Sequence, residues 1–224
     1  MLSKAQEWNL IREIPKIKLE KAYGRDRLID PATESSLIQD LSVPNKHGRT
    51  RRMREQLRDF LTIAQDSGMR PSEIFRIRIQ NIDFTNMRIW SPHGKTPKAR
   101  RFVPMSNRMK NALRIRVGDR REGWLFPSER SKTGHLTSIA KGFQALRDRT
   151  GVSEKVVPYS ARHTYGSYAM EATGNIFAVA DAMGHANVKS MVAYQRHSLD
   201  SLRSAIERRN ANNDARHKSV FARN

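Results

Sequence analysis

The sequence predicts a mostly α-helical domain with a small antiparallel β element, a β-hairpin or three-stranded sheet. Three observations lead there. Apolar residues recur every three or four positions over stretches of helix length. Runs with strand character are short and fall between residues 82 and 104. Glycines, prolines and small polar residues stand where the helical stretches start and stop.

Near the N-terminus Trp8, Ile11 and Ile14 repeat at about one turn until Pro15 interrupts them, so residues 1–21 have helical character. Residues 22–31 form a linker rich in turn residues. Thr33 is expected to cap a short helix through Leu41. Residues 45–54 are strongly basic and lead into a helix over about 51–66, whose apolar face is Met53, Leu57, Phe60, Leu61 and Ala64. Gly68 is placed as the left-handed residue that ends it. Pro71 suits the first position of the next helix and Glu73 its positive end, which leaves Arg70 on a tight turn.

Residues 82–84 and 87–90 read as strands and 101–104 as a return strand, with Lys95 and Lys98 in the intervening turn. Ser106 caps a helix to about Val117 that points Met109, Leu113 and Val117 inward. Residues 124–127, Trp-Leu-Phe-Pro, read as a core insertion. Helices are expected over 136–150, ended by Gly151, over 161–172, and from Gly174-Asn175 to about Met183. Asn187 is expected to cap a helix carrying Tyr194. The last helix is expected over 199–209, and the tail to Asn224 is polar.

The chain has 224 residues, with 42 lysines and arginines against 22 acidic residues and a net charge of +20. Solubility is served by about 2–8 net charges on a small domain. The excess implies a polyanionic partner, nucleic acid before an acidic membrane. No apolar run approaches the ~20 residues of a spanning helix, and no apolar signal segment opens the chain. With no cysteine, disulfides and thiolate metal sites are excluded. Cytoplasmic residence follows as the expectation.

Cutting a DNA phosphodiester without a metal needs charge stabilisation, a nucleophile and an acid. Arginine donates two parallel hydrogen bonds to phosphate oxygens and stays charged. Arg70 and Arg162 supply two such groups, His185 a further donor, Lys95 a general acid for the leaving 5′ oxygen, and Tyr194 a nucleophile. Each has an ordinary alternative. Arg70 can be a surface arginine, His185 a helix-capping histidine, Tyr194 an amphipathic-helix residue and Lys95 an exposed turn lysine. His93, His135, His163 and His185 show no metal-ligand spacing with carboxylates.

Order and spacing together favour one site. Gly68-Met69-Arg70-Pro71-Ser72-Glu73, Gly94-Lys95-Thr96 ahead of Arg101-Phe102-Val103-Pro104, Arg162-His163-Thr164, Met183-Gly184-His185 and Tyr194 nine residues later resemble the boxes of the tyrosine recombinase (phage integrase) family. The resemblance runs over residues 33–205. It implies a tyrosine-recombinase catalytic-domain-like fold and site-specific DNA cleavage and rejoining through a 3′-phosphotyrosine. The implied catalytic residues are Arg70, Lys95, Tyr159, Arg162, His185 and Tyr194, with no cofactor and no metal. Tyr159 stands where the family has histidine, and Lys98 is a second candidate for the acid. Residues 1–32 are expected to be the remnant of an upstream DNA-clamping domain plus linker, 33–209 the catalytic domain and 210–224 a tail. Met1 then opens a fragment or a truncated gene. Implied partners are double-stranded DNA and other copies of the chain, as a synaptic tetramer. The competing readings are a related strand-passage enzyme and a non-catalytic DNA-binding module.

Overall fold

In the computed structural model, which describes residues 2–13, 28–44, 48–93, 100–185, 191 and 207, the organising element is a long helix, α3 (Gly48–Ser67). Before it come α1 (Leu2–Glu7) and α2 (Pro31–Ser42). After it come α4 (Pro71–Phe75), a 3₁₀ turn (Ile79–Asn81) and strands β1 (Ile82–Asp83), β2 (Arg88–Ser91) and β3 (Arg101–Pro104). Helices α5 (Asn107–Val117), α6 (Ala140–Thr150), α7 (Ser160–Thr173) and α8 (Ile176–Met183) complete the described elements. The predicted fold class holds: mostly α, with one three-stranded antiparallel sheet in the order β1-β2-β3.

α3 packs against α2, α5, α6 and α7. Its Leu57, Phe60, Leu61, Ile63 and Ala64 are almost completely withdrawn from water, and each of the larger side chains contributes about 1.5–3 kcal/mol by that burial. Phe60 stacks on Phe75 of α4 with ring centroids 5.4 Å apart, and Phe75 meets Phe126 edge-on at 6.0 Å. Of residues 124–127, read as a core insertion, the central pair is core, while Trp124 is half-buried and Pro127 exposed. Leu125 and Phe126 are fully buried, and the Leu125 N–H donates to Ile77 O.

β2 pairs with β3 in the register Ile89↔Val103 and Ser91↔Arg101. Strand side chains alternate between faces, so Ile89, Ser91, Arg101 and Val103 turn inward and are buried. Trp90 and Phe102 pair on the other face, and the Arg88 guanidinium lies 4.3 Å from the Phe102 ring centre. Inward-facing Arg101, which opens β3, matters for the site below. Residues 94–99 of the connecting turn, with Lys95 and Lys98, lie outside the described residues.

Three local expectations are corrected. The N-terminal helix ends at Glu7, because Asn9 turns left-handed (φ 56) and Leu10 N–H closes back on Ala5 O. Trp8 is therefore exposed rather than part of a packed helical face. Asp30, not Thr33, caps α2. Its carboxylate accepts from the Thr33 N–H at 2.7 Å, with Pro31 at the first helical position. That N–H holds the Asp30 carboxyl below its usual range. The helix expected from Leu136 begins only at Ala140. The Leu136 N–H is bonded to Phe126 O, and Pro127 bridges His135, which keeps residues 135–136 extended. Of the helices expected after Asn187 and Leu199, only Met191, buried against α8, and Glu207, helical and exposed, are among the described residues.

Candidate active site

The site is built on the turn between α3 and α4. Ser67 Oγ bonds back to Ile63 O and accepts from the Met69 N–H, tightening the helix end. Gly68 follows with φ +61. A Cβ there would fall 2.3 Å from the Tyr165 ring of α7, so glycine is required by backbone conformation and by packing. Arg70 then precedes α4. Its backbone N–H donates to Glu73 Oε2 at 3.0 Å, the reciprocal half of a capping box. Its Nη1 donates to Glu73 Oε1 at 2.7 Å.

Arg162, in the first turn of α7, is completely buried. Its Nη1 donates to Gly68 O and its Nη2 to Met183 O at 2.9 Å. Arg101 donates from Nε to Ala182 O at 2.7 Å and from Nη2 to Glu73 Oε2 at 3.3 Å. Arg70 Nη2 lies 3.5 Å from Gly184 O. Three consecutive carbonyls at the end of α8 (Ala182, Met183 and Gly184) thus each accept from a different arginine. A helix C-terminus leaves its last carbonyls without intrahelical donors and carries the negative end of the dipole. The arginines answer both needs, and α8 in turn holds them together.

His185 follows directly, with its backbone N–H on Ala180 O. Burial first, then the charges of Arg162, Arg70 and Arg101, push its imidazole down to about 4, against an opposing pull from Glu73. At neutral pH it is an uncharged hydrogen-bond donor. Among the described residues the constellation gathers three guanidiniums and the Glu73 carboxylate in a largely desolvated setting, a donor-rich arrangement suited to an anion.

Sequence reasoning named Arg70, Arg162 and His185, and the fold brings these three together. Tyr159 stands directly before α7 with its carbonyl accepting from the Arg162 and His163 N–H groups. Its ring meets that of His163 edge-on at 5.0 Å and is 37% exposed. Tyr165 is held differently: burial against Gly68 pushes its phenol up. Lys95 and Tyr194 lie outside the described residues. Sequence reasoning missed two partners. Glu73 and Arg101 fall within the family-like boxes but are given no place among the site residues, Glu73 being read as a helix-dipole residue and Arg101 as part of the hairpin. The alternation of β3 was the available signal for Arg101, because it places an arginine on the same face as buried Val103. Among the described residues no His, Asp and Glu side chains gather as a metal-ligand set.

A helical domain of this kind, with its three-stranded sheet, has the fold of the tyrosine recombinase catalytic domains. The Tn1549 transposon integrase in complex with circular intermediate DNA matches with TM-score 0.70 and 20% identity over 92% of this chain and 76% of that one. The XerA recombinase structure matches with TM-score 0.62 and 21% identity, over 87% and 67%. The phage integrase family model matches residues 37–201, and the chain belongs to that family. Tyrosine recombinase XerA of Pyrococcus furiosus is 27% identical over 165 residues, covering 70% of this chain and 56% of the relative. Tyrosine recombinase XerC of Chromobacterium violaceum is 29% identical over 143 residues, covering 61% and 46%. The chain spans about half the length of the curated relatives it matches.

Proposed function

We propose that this chain carries the phosphoryl-transfer centre of a site-specific DNA recombinase or integrase, cleaving and rejoining DNA through a 3′-phosphotyrosine. The observation that carries the reading is the convergence of Arg70, Arg101 and Arg162 on the end of α8 beside His185, with the Glu73 carboxylate among them. A scissile phosphate brings negative charge to these guanidiniums, and the charge that grows on its oxygens in the transition state strengthens their attraction to it.

In this reading the Tyr194 hydroxyl releases its proton to solvent water as its oxygen attacks phosphorus in line. The P–O5′ bond breaks, and Lys95 gives the departing 5′ oxygen its proton. Arg70 and Arg162 carry the phosphate charge, and neutral His185 donates to a non-bridging oxygen. Tyr159, where the family has histidine, contributes a neutral hydroxyl donor in place of an imidazolium. The phosphotyrosine conserves the bond energy for rejoining to a second 5′ hydroxyl. The partner is double-stranded DNA, met in the cytoplasm beside the nucleoid, and the working assembly is a tetramer across two duplexes.

The test is a nicked suicide duplex carrying repeats that flank the gene. Wild-type chain forms a covalent protein–DNA band, with or without EDTA, and Tyr194→Phe forms none. A band that survives Tyr194→Phe removes that residue as nucleophile. Retained DNA binding with no covalent band on any flanking repeat favours the non-catalytic module instead. Light scattering of the complex on paired sites reads the tetramer.

A further inference from the structure

We propose that Arg101 is a positioning residue of this site, a brace that fixes Glu73 and the end of α8 so that Arg70 and His185 face the phosphate. The inference rests on the phosphoryl-transfer reading above and assigns a residue which that reading leaves without a role.

Arg101 opens β3 opposite Ser91. Its inward register makes it one of the few buried arginines, 8% exposed. One edge of its guanidinium joins two elements: Nε reaches Ala182 O at 2.7 Å and Nη2 reaches Glu73 Oε2 at 3.3 Å. Glu73 divides its oxygens in turn. Oε1 takes Arg70 Nη1, while Oε2 takes both the Arg70 backbone N–H and Arg101. Arg101 therefore sets the rotation of the carboxylate that orients Arg70. Through Ala182 it also holds the helix end from which His185 projects. The hairpin, the α3–α4 turn and α8 are tied at this one side chain. Lysine keeps the charge but has a single donor centre, so it cannot span both acceptors with the same geometry.

The roles separate in single-turnover cleavage of the suicide duplex by the full chain, with duplex affinity and thermal midpoint measured alongside. A displacement of about 1 Å at such a site costs about 100-fold. Arg101→Ala is therefore expected to slow covalent-complex formation by about that factor, with duplex affinity nearly unchanged; its thermal midpoint falls, because Glu73 loses a buried counter-ion, so the rate is read well below that midpoint. Arg101→Lys is expected to recover only part of the rate. Because both residues act through one carboxylate, Arg101→Ala adds little to Glu73→Gln, a strongly non-additive cycle. A DNA-free arm reads the imidazole of His185 by NMR. It is faced by Arg162 of α7, Arg70 of the α3–α4 turn, Arg101 of β3 and Glu73 of α4, and its titration moves upward in Arg101→Ala. Wild-type cleavage at the rate of Arg101→Ala, full rescue by lysine, or additive effects with Glu73→Gln each overturn the proposal. Should Arg101→Ala not fold, Arg101→Lys decides: a folded but slow variant supports the brace and a fully active one removes it. If the wild type itself forms no covalent complex, the phosphoryl-transfer reading falls, and an unmoved His185 titration then separately removes the brace.

Discussion

Gly68→Ala tests the packing beneath the site. Gly68 sits at φ +61, and an added Cβ would lie 2.3 Å from Cδ1 and 2.8 Å from Cε1 of Tyr165. The left-handed backbone costs an alanine about 1–2 kcal/mol. Part of this is offset by about 0.4–1 kcal/mol of lost freedom in the unfolded chain. Moving a half-buried ring aside adds about 1–3 kcal/mol of overpacking. The expected loss is about 3 kcal/mol, or about 10 °C in Tm for a chain of this size. Gly151→Ala is the internal control, since its φ is +68 but nothing lies within 4 Å of the new Cβ, so it loses only about 1 kcal/mol. Urea and thermal denaturation of both variants read the difference. In a Tyr165→Ala background the cost of Gly68→Ala falls towards that of Gly151→Ala, because the obstructing Cγ and ring atoms are gone. Equal losses at the two glycines, or no relief from Tyr165→Ala, would refute the reasoning.

Asp59→Ala leaves Arg116, its partner at 2.9 Å, buried without a counter-ion. Although burial alone pushes the Asp59 carboxyl up, breaking such a pair costs about 3–5 kcal/mol, read as a lower urea midpoint at unchanged m. His185 predicts a pH dependence. The unfolded chain takes up its proton near the ordinary value of about 6.5, the folded chain only at about 4. Folded stability therefore falls as pH drops through that window. Discounted for solvent screening of a partly exposed ring, wild type loses about 1–2 kcal/mol more than His185→Gln between those limits, measured by urea titration at each pH. DNA affinity falls steeply with salt, by about 0.9 decades in K per decade of salt for each phosphate neutralised, and a nearly flat slope by fluorescence anisotropy contradicts a DNA role.

Much of this architecture was legible in one dimension. Helical spacing identified the buried face of α3, the cap at Ser106 and the inward Met109, Leu113 and Val117 of α5, because such patterns are local and depend on few distant neighbours. Pro71 and Gly68 marked the turn that carries Arg70 for the same reason. Boundaries failed where a longer-range partner intervened. Residues 135–136 are claimed by Phe126 and Pro127 before a helix can begin, and Asp30 outcompetes Thr33 because Pro31 follows it.

The site divides along the same line. Residue types and their order named Arg70, Arg162 and His185, since phosphate chemistry restricts which side chains serve, whereas Tyr159 was named only by the family resemblance. No spacing announces that three arginines from β3, α7 and the α3–α4 turn meet three consecutive carbonyls at the end of α8. That meeting depends on chain segments as many as 114 residues apart. It exists only once helix packing has brought a dipole end, a buried carboxylate and the inward edge of a strand to one place.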